Sequence, residues 1–176
     1  MYPYVRMFKE FVVHRNAPDL PFDGVHVSQH RVWPWDIDPF MELNNGRTLT
    51  LFDLGRLLLG KRTGLLKALK RERWGMTMAG VCVRYRRRLR AFESFEMRSK
   101  AIGWDDKFFY LDQQMWKKNG ECANQVIYRV AITDKNGIVA TARVREAVGT
   151  VDGEWILPQW VQDWIKAEDN RPWPPS

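Results

Sequence analysis

The stretch Asn44–Gly60, which reads NNGRTLTLFDLGRLLLG, predicts a helix that is enclosed on most sides. Asn44, Asn45 and Gly46 are residues that commonly cap a helix, so the helix is expected to run from Arg47 to Gly60. Its apolar side chains point in nearly every direction around the axis; they are Leu49, Leu51, Phe52, Leu54, Leu57, Leu58 and Leu59. Because such a helix is buried on most sides, the rest of the chain must wrap around it.

Long strands after this helix supply the wrapping layer. Five strands of 11 to 15 residues are predicted, at Met76–Arg90, Ser94–Trp104, Phe108–Lys118, Cys122–Thr133 and Ile138–Val148. Short, turn-like connections between successive strands indicate an antiparallel meander. Strands of this length favour a strongly twisted and curved sheet. The pattern therefore predicts an α+β domain in which a curved sheet surrounds one helix.

The flanking segments complete one predicted domain over residues 1–176, with its core at about 25–148. Further elements are predicted as a first strand at Val25–Trp35, an amphipathic helix at Thr63–Trp74 and a short terminal helix at Leu157–Ala167. Residues 1–22 are expected to form an irregular or partly helical lead-in that packs on the body. Residues 155–176 carry the terminal helix and a loose, proline-rich tail from residue 171 onward.

Composition excludes several classes of protein. With 45% hydrophobic and 28% charged residues in 176, the chain can bury a core and is not disordered over most of its length. The longest uncharged stretch, Trp74–Val83, is too short to cross a bilayer, which needs about 20 residues. Cys82 and Cys122 lie in no disulfide framework or zinc motif. We expect a cytoplasmic protein without a membrane span, a secretory signal or a bound metal.

Carboxylates and carboxamides crowd the start of the central helix. Within Asp36-Ile-Asp38-Pro-Phe-Met-Glu42-Leu-Asn44-Asn45-Gly46 there are three acids and two amides. The first N–H groups of a helix have no partner within it and can hold an oxyanion. A carboxylate beside them could attack a carbonyl or activate a water, which suggests acyl hydrolysis. The alternative is structural: Asp36 and Asp38 make turn hydrogen bonds and Asn44 caps the helix.

The same run resembles a known signature. Asp36-x-Asp38-x-x-x-Glu42-x-Asn44-Asn45-Gly46-Arg47, followed by Phe52-Asp53-x-Gly55-Arg56, is similar to the D-x-D-x-x-x-H-x-N-N-x-x-Y signature and the downstream acidic-x-small-Arg element. That pattern is typical of hotdog-fold thioesterases of the 4-hydroxybenzoyl-CoA thioesterase type, and the chain looks closest to their THEM-type branch. Segments 83–90, 92–96 and 103–111 resemble sheet segments of that branch. The resemblance implies a hotdog fold with five or six strands around the helix.

The resemblance also implies an activity and roles for individual residues. The chain is expected to hydrolyse an acyl-CoA thioester, with Asp38 as nucleophile or general base. The backbone N–H of Asn45 or Gly46 would polarise the carbonyl. Glu42 and Thr48 stand where the family often has His and Tyr. The alternative is a non-catalytic acyl-CoA or lipid-binding hotdog module that lost efficient chemistry at these two positions.

Two acids have alternative interpretations. Glu42 either makes Asp38 a better base through like-charge repulsion or is a solvated or cap-bonded residue near the helix start. Asp53 and Arg56, three residues apart on the helix, either form a buried pair that fixes the helix or border the substrate pocket together with Asn44.

The net charge of +7 is concentrated in one segment. Residues 61–90 hold eleven Lys or Arg and one acid, a charge of +10, so the remaining residues sum to −3. Strand alternation predicts that Arg84, Arg86, Arg88 and Arg90 share one face. These arginines either bind the phosphates of coenzyme A or form a solvated face that pairs with acids such as Glu93 and Glu96. Tyr85 is predicted on the opposite face, which disfavours nucleic acid.

The expected partners follow from these features. The substrate is an acyl-CoA, and no separate cofactor is expected because coenzyme A is part of that substrate. A curved sheet with an open edge strand also predicts a homodimer or a dimer of dimers.

Overall fold

A curved antiparallel sheet surrounds one long helix in the computed structural model, which describes residues 2–149, 155–172 and 174–175. The described strands are β1 (His26–Arg31), β2 (Gly75–Tyr85), β3 (Ser94–Trp104), β4 (Phe108–Lys117), β5 (Cys122–Asp134) and β6 (Gly137–Ile138). The described α-helices are α1 (Tyr4–Val13), α2 (Asn45–Arg62), α3 (Leu65–Glu72), α4 (Thr141–Val148) and α5 (Gln159–Asp169). A short 3₁₀ turn at Pro34–Asp36 follows β1.

The strand order confirms only part of the predicted meander. The order is β1-β3-β4-β5-β2, with β6 paired to β5, and every pairing is antiparallel. Strands β3, β4 and β5 are sequential neighbours, as predicted. The expectation that β2 pairs with β3 was wrong, because β2 pairs with β5 on the far side of the sheet. The segment after β2 passes the start of α2, where the Leu43 N–H donates to the Leu89 carbonyl.

Helix α2 confirms the predicted enclosed helix. It begins at Asn45, two residues before the predicted start, and the Asn44 side chain accepts a hydrogen bond from the Arg47 N–H at 3.0 Å. Its fully buried side chains include Leu51, Phe52, Leu54 and Leu58. Leu51, Phe52 and Leu54 form the main core with apolar side chains from the concave face of the sheet.

Gly55 brings α2 into close contact with the sheet. A Cβ atom placed there would lie 2.4 Å from Ser99 Oγ and 2.7 Å from Met97 Sδ. The adjacent Gln113 is fully buried and donates from Nε2 to Ser99 Oγ and to the Phe52 carbonyl, each at 2.8 Å. A side chain at Gly55 would therefore disturb both the packing and this buried hydrogen-bond network.

We expect Gly55→Ala to lower the free energy of unfolding by about 1–3 kcal/mol, the usual cost of overpacking a core. Denaturant titration followed by circular dichroism measures this change. Gly60→Ala, on the same helix, is the matched control, because its new methyl group would meet Leu66 at an ordinary 3.4 Å. Equal stability of the Gly55→Ala variant and the wild type would contradict the close approach.

The strand predicted at Ile138–Val148 was wrong. Within residues 137–148, only Gly137–Ile138 pairs with β5, and α4 occupies Thr141–Val148. The Thr141 hydroxyl donates to the Asp105 carbonyl and fixes the start of α4. Val144 is buried by this helical arrangement, which packs α4 against α3 and the core.

The flanking predictions were largely confirmed. The lead-in contains helix α1, and the predicted second helix is α3, although the first strand is shorter than predicted. Helix α5 packs Val161 on Tyr110 and Ile127 of the convex face of the sheet. In the predicted tail, residues 171, 172, 174 and 175 have neither helix nor strand, while 173 and 176 lie outside the described residues.

Candidate functional site

Asp36 is a buried carboxylate that fastens three segments together. Its side chain accepts hydrogen bonds from Arg6 of α1 at 2.6 Å and from Arg47 of α2 at 2.7 Å. It also accepts the Trp33 N–H at 2.9 Å. With 1% of its surface exposed and both oxygens occupied, Asp36 has the contacts of a structural residue.

Asp38 is partly exposed and supports a tight turn. Its Oδ1 atom accepts the Phe40 N–H at 2.9 Å and the Glu42 N–H at 3.4 Å. No described residue donates to its second oxygen, Oδ2. The turn contacts predicted by the structural alternative are therefore present, and they occupy only one of the two carboxylate oxygens.

A short hairpin carries Asp38 to the start of α2. Ile37 pairs with Leu43 in an antiparallel bridge, and the Asp38 N–H donates to the Glu42 carbonyl at 2.8 Å. The Glu42 carboxylate forms an ion pair with Arg88 at 2.9 Å. Glu42 is thus neither freely solvated nor a cap of α2, and a cation faces its carboxylate.

The first N–H groups of α2 are open to a ligand. Asn44 accepts hydrogen bonds from the third and fourth N–H groups of the helix: its Oδ1 accepts the Arg47 N–H, and its carbonyl accepts the Thr48 N–H. The N–H groups of Asn45 and Gly46 have no acceptor among the described residues, and both residues are exposed. Such unpaired N–H groups carry the positive end of the helix dipole, so they suit an anion or a developing oxyanion.

The helix start opens into a shallow cleft of about 210 Å³. Its polar lining comprises Glu42, Asn45, Tyr85, Arg86, Arg87, Arg88 and Asn124. The Tyr85 hydroxyl donates to the Asn45 carbonyl at 3.1 Å and holds β2 against the helix. Burial raises the pKa of Tyr85, so its hydroxyl stays a protonated donor at neutral pH.

The prediction that four arginines share one strand face was wrong. Strand β2 ends at Tyr85, because the N–H groups of Arg86 and Arg87 both donate to the Ala123 carbonyl and the alternation stops there. Arg84 precedes Tyr85 in the strand, so its side chain lies on the opposite face of the sheet from the cleft. Arg86 and Arg88 line the cleft.

The predicted pairing of these arginines with Glu93 and Glu96 was also wrong. Glu93 pairs with Lys117, and Glu96 pairs with Arg98. Within the described chain, the side chain of Arg86 has no acidic partner.

Asp53 and Arg56 form an ion pair farther along α2. At about 1.5 Å per residue, Arg56 lies roughly 16 Å beyond Asn45 along the helix axis. Its guanidinium stacks on the Tyr128 ring at 4.3 Å and is buried. The pair is therefore separate from the cleft and has the contacts of the predicted helix-fixing pair.

Sequence reasoning missed two features of this region. Tyr85 was placed away from the arginines, yet it lines the cleft with Arg86. Arg6 was read only as part of a lead-in, yet it holds Asp36. No local signal marks either contact, because both join segments that are distant in sequence. Within residues 2–149 and 155–172, no three His, Cys, Asp or Glu side chains are placed to share a metal ion.

Comparison with known proteins identifies the family. Residues 32–165 match the sequence profile of the thioesterase-like superfamily. The chain belongs to this superfamily. The chain is also 32% identical to protein THEM6 of Xenopus laevis over 141 residues, which cover 79% of this chain and 66% of that relative. The chain therefore spans about two thirds of the length of that relative.

Solved structures share the fold of this superfamily member. A probable thioesterase of Escherichia coli, YbaW, superposes with a TM-score of 0.65 at 17% identity, over 69% of this chain and 95% of YbaW. A Staphylococcus aureus protein solved in complex with CoA superposes with a TM-score of 0.60 at 13% identity, over 81% and 95% of the two chains. The predicted hotdog fold of the THEM-type branch is confirmed. Among the described helices, none has the length and apolarity needed to cross a bilayer.

Proposed function

We propose that this protein hydrolyses the thioester bond of an acyl-CoA. One observation carries the proposal: the unpaired N–H groups of Asn45 and Gly46 follow directly on the hairpin that presents the Oδ2 oxygen of Asp38. A base and an oxyanion site on one rigid unit are the two elements that acyl transfer to water needs. Membership of the thioesterase-like superfamily supports the same reaction.

In the proposed reaction, Asp38 accepts a proton from a water molecule as that water attacks the thioester carbonyl. The carbonyl oxygen becomes an oxyanion, which the N–H groups of Asn45 or Gly46 stabilise. The carbon–sulfur bond then breaks, and the CoA thiolate takes up a proton. The products are the free acid and CoA. Direct attack by the Asp38 carboxylate would give an acid anhydride, which water then hydrolyses to the same products.

Arg86 and Arg88 are proposed to bind the phosphates of CoA at the cleft. Guanidinium groups bind phosphate oxygens in pairs, and CoA carries a pyrophosphate and a 3′-phosphate. Arg88 already pairs with Glu42, whereas Arg86 has no acidic partner among the described residues. Arg86 is therefore the stronger candidate for a phosphate contact.

Release of free thiol from short-chain, long-chain and aromatic acyl-CoAs tests the proposed activity. We expect turnover of at least one of these substrates, with the Asp38→Asn variant assayed beside the wild type. Thermal stabilisation by acyl-CoA without any thiol release would instead support the binding-module alternative. If no acyl-CoA of the panel stabilises the protein and none releases thiol, both functions are contradicted.

We expect Arg86→Gln to raise the KM for acyl-CoA about tenfold and to leave kcat unchanged, since the lost contact is to the carrier and not to the reacting carbonyl. Steady-state kinetics at low salt measures this change, because salt screens exposed charges. Arg84→Gln is the matched control, since it removes the same charge from the opposite face of the sheet. An equal rise in KM in both variants would show a general charge effect and contradict the assignment.

A homodimer is part of the proposal. Strands β1 and β2 form the two edges of the described sheet, and β2 leads into the cleft through Tyr85 and Arg86. Pairing of two β2 edges would cover an exposed row of backbone groups. Sedimentation velocity of a concentrated sample distinguishes the expected dimer from a strict monomer.

A further inference from the structure

Helix α1 turns polar side chains toward the protein and apolar side chains toward solvent. On its inner half, Arg6 donates to Asp36 at 2.6 Å and Glu10 is buried. The exposed residues of the helix are Tyr4, Val5, Phe8, Lys9, Val12 and Val13. At about 100° per residue, these six side chains fill one continuous half of the helix surface, and five of them are apolar. A helix that packs on a core through its apolar face shows the reverse arrangement.

The outer face of α1 forms part of a larger exposed apolar surface. Val5 is 84% exposed and Phe8 is 71% exposed. Trp35, which is 70% exposed, lines the same open cavity as Tyr4 and Val5. Apolar side chains that cluster on a surface mark a site of interaction with a partner or a membrane.

The charges that border this surface are positive on the solvent side. The cavity beside α1 measures about 1560 Å³ and lies between α1, β1 and the start of α2. Its described acids, Glu10 and Asp36, are both buried. The described charged residues of its lining that are exposed are Lys9, Arg31 and Lys118. Lys9 Nζ lies 3.3 Å from Glu10 Oε1, but 61% of the lysine side chain is exposed and can face a second anion.

We infer that the outer face of α1 docks on the surface of an anionic lipid bilayer. Phe8 and the valines of this face would enter the boundary between headgroups and acyl chains, as the apolar face of an interfacial helix does. Tyr4 and Trp35 are of the residue types that favour the membrane–water interface. Exposed lysines and arginines attract anionic headgroups. The inference does not depend on the proposed hydrolysis or on the proposed dimer.

Charge and shape favour a bilayer over a protein partner. A two-fold axis through α1 would bring Lys9 toward its own copy, and among the described residues that line the cavity no exposed acid could pair with it. A stable protein interface covers about 800 Å² of complementary surface on each partner. Helix α1 has 10 residues, so it is one convex element roughly 15 Å long. A bilayer requires no complementary shape.

Co-sedimentation with phosphatidylcholine vesicles, prepared with and without phosphatidylglycerol, tests the inference. We expect the wild type to bind the anionic vesicles and to bind the neutral ones much more weakly. Phe8→Gln and Val5→Gln should each weaken binding to anionic vesicles about tenfold, because each removes an apolar side chain that would leave water. Glutamine is a good helix former, so α1 should persist, and circular dichroism checks the fold.

A charge variant tests the electrostatic part. At low salt, Lys9→Gln should weaken binding to anionic vesicles about fivefold, the usual contribution of one lysine near an anionic surface. Ile138→Gln and Lys135→Gln are the matched controls and should bind as the wild type does, since both exposed residues lie at the β5–β6 hairpin, and β3 and β4 separate β5 from β1.

Three vesicle results would overturn the inference: no binding of the wild type to anionic vesicles, equal binding to both vesicle types, or unchanged binding by folded Phe8→Gln. Sedimentation velocity without lipid provides a fourth test. If Phe8→Gln changes the oligomeric state, the outer face of α1 belongs to a contact with a second copy of the chain, and the bilayer assignment is wrong.

Discussion

Replacing Asp38 with asparagine is expected to lower kcat for acyl-CoA hydrolysis by about 10²–10⁴-fold, the usual contribution of a positioned general base. The fold should survive, because an asparagine Oδ1 can still accept the Phe40 and Glu42 N–H groups that Asp38 accepts now. The variant therefore removes the basic oxygen and keeps the turn. Thiol release under saturating substrate, together with a thermal melt, measures both effects.

Asp36→Asn is the control for this experiment. Asp36 is buried between Arg6 and Arg47, so the neutral side chain would leave two guanidinium groups without their charge partner. We expect a loss of about 3–5 kcal/mol in the free energy of unfolding, as when one member of a buried ion pair is removed. Full activity in Asp38→Asn, or loss of activity solely through unfolding, would contradict the catalytic role of Asp38.

The sequence predicted the elements whose pattern is local. The apolar side chains all around Asn44–Gly60 require an enclosing layer, and α2 is enclosed by the sheet. Strands β3, β4 and β5 were predicted because each is long and is followed by a tight turn. In both cases short-range periodicity and turn chemistry agree with the tertiary structure.

The predictions were wrong for segments whose conformation is decided by tertiary contacts. The β-branched residues of Ile138–Val148 suggested a strand, but Val139, Val144 and Val148 also fit a strand end followed by a helix. Similarly, the arginine alternation ends after Tyr85 because a single carbonyl, that of Ala123, accepts two successive N–H groups. Neither the pairing partner of β2 nor this shared acceptor is visible in local spacing.

In the candidate site, too, the features that depend on local sequence were predicted and those that depend on distant residues were not. The cap at Asn44 and the turn at Asp38 follow from local chemistry and were anticipated as the structural alternative. The different roles of Asp36, which is buried and structural, and Asp38, which is partly exposed, were not anticipated. The burial of Asp36 depends on Arg6, which is 30 residues away in sequence. Asp36 and Asp38 look equivalent in sequence, but burial and ion pairing make Asp36 a structural residue and leave Asp38 partly exposed.

Two buried histidines are expected to make the free energy of unfolding fall strongly as the pH is lowered. His26 and His30 lie on the buried face of β1 with Ser28 between them, and both are buried. Burial, followed by the charges of His14 and Arg62, lowers the pKa of His26 to about 4. Burial, followed by the charges of Lys9 and Arg6, lowers the pKa of His30 to about 3. Glu10 Oε1 lies 3.9 Å from His30 Nδ1, too far for a hydrogen bond that would offset burial.

The sign of the effect follows from proton uptake. The unfolded histidines bind protons near pH 6.5, whereas the folded ones stay neutral until about pH 4 and pH 3, so acid favours the unfolded state. The two neutral histidines make their full contribution to the free energy of unfolding above about pH 7, and this contribution declines as the pH falls below 6.5. At pH 5 the loss is ~2 kcal/mol for each histidine, or ~4 kcal/mol together.

Urea unfolding of the wild type at pH 7.5 and pH 5.0 should reveal this loss. The double variant His26→Gln, His30→Gln is expected to be less stable at pH 7.5 but to lose about 4 kcal/mol less than the wild type between the two pH values. The glutamine at position 30 can still bond the Ser28 hydroxyl, which now lies 2.8 Å from His30 Nε2. If the wild type and the double variant lost stability in parallel, the acid sensitivity would have to arise from other groups, and the neutral, buried state of the two histidines would be refuted.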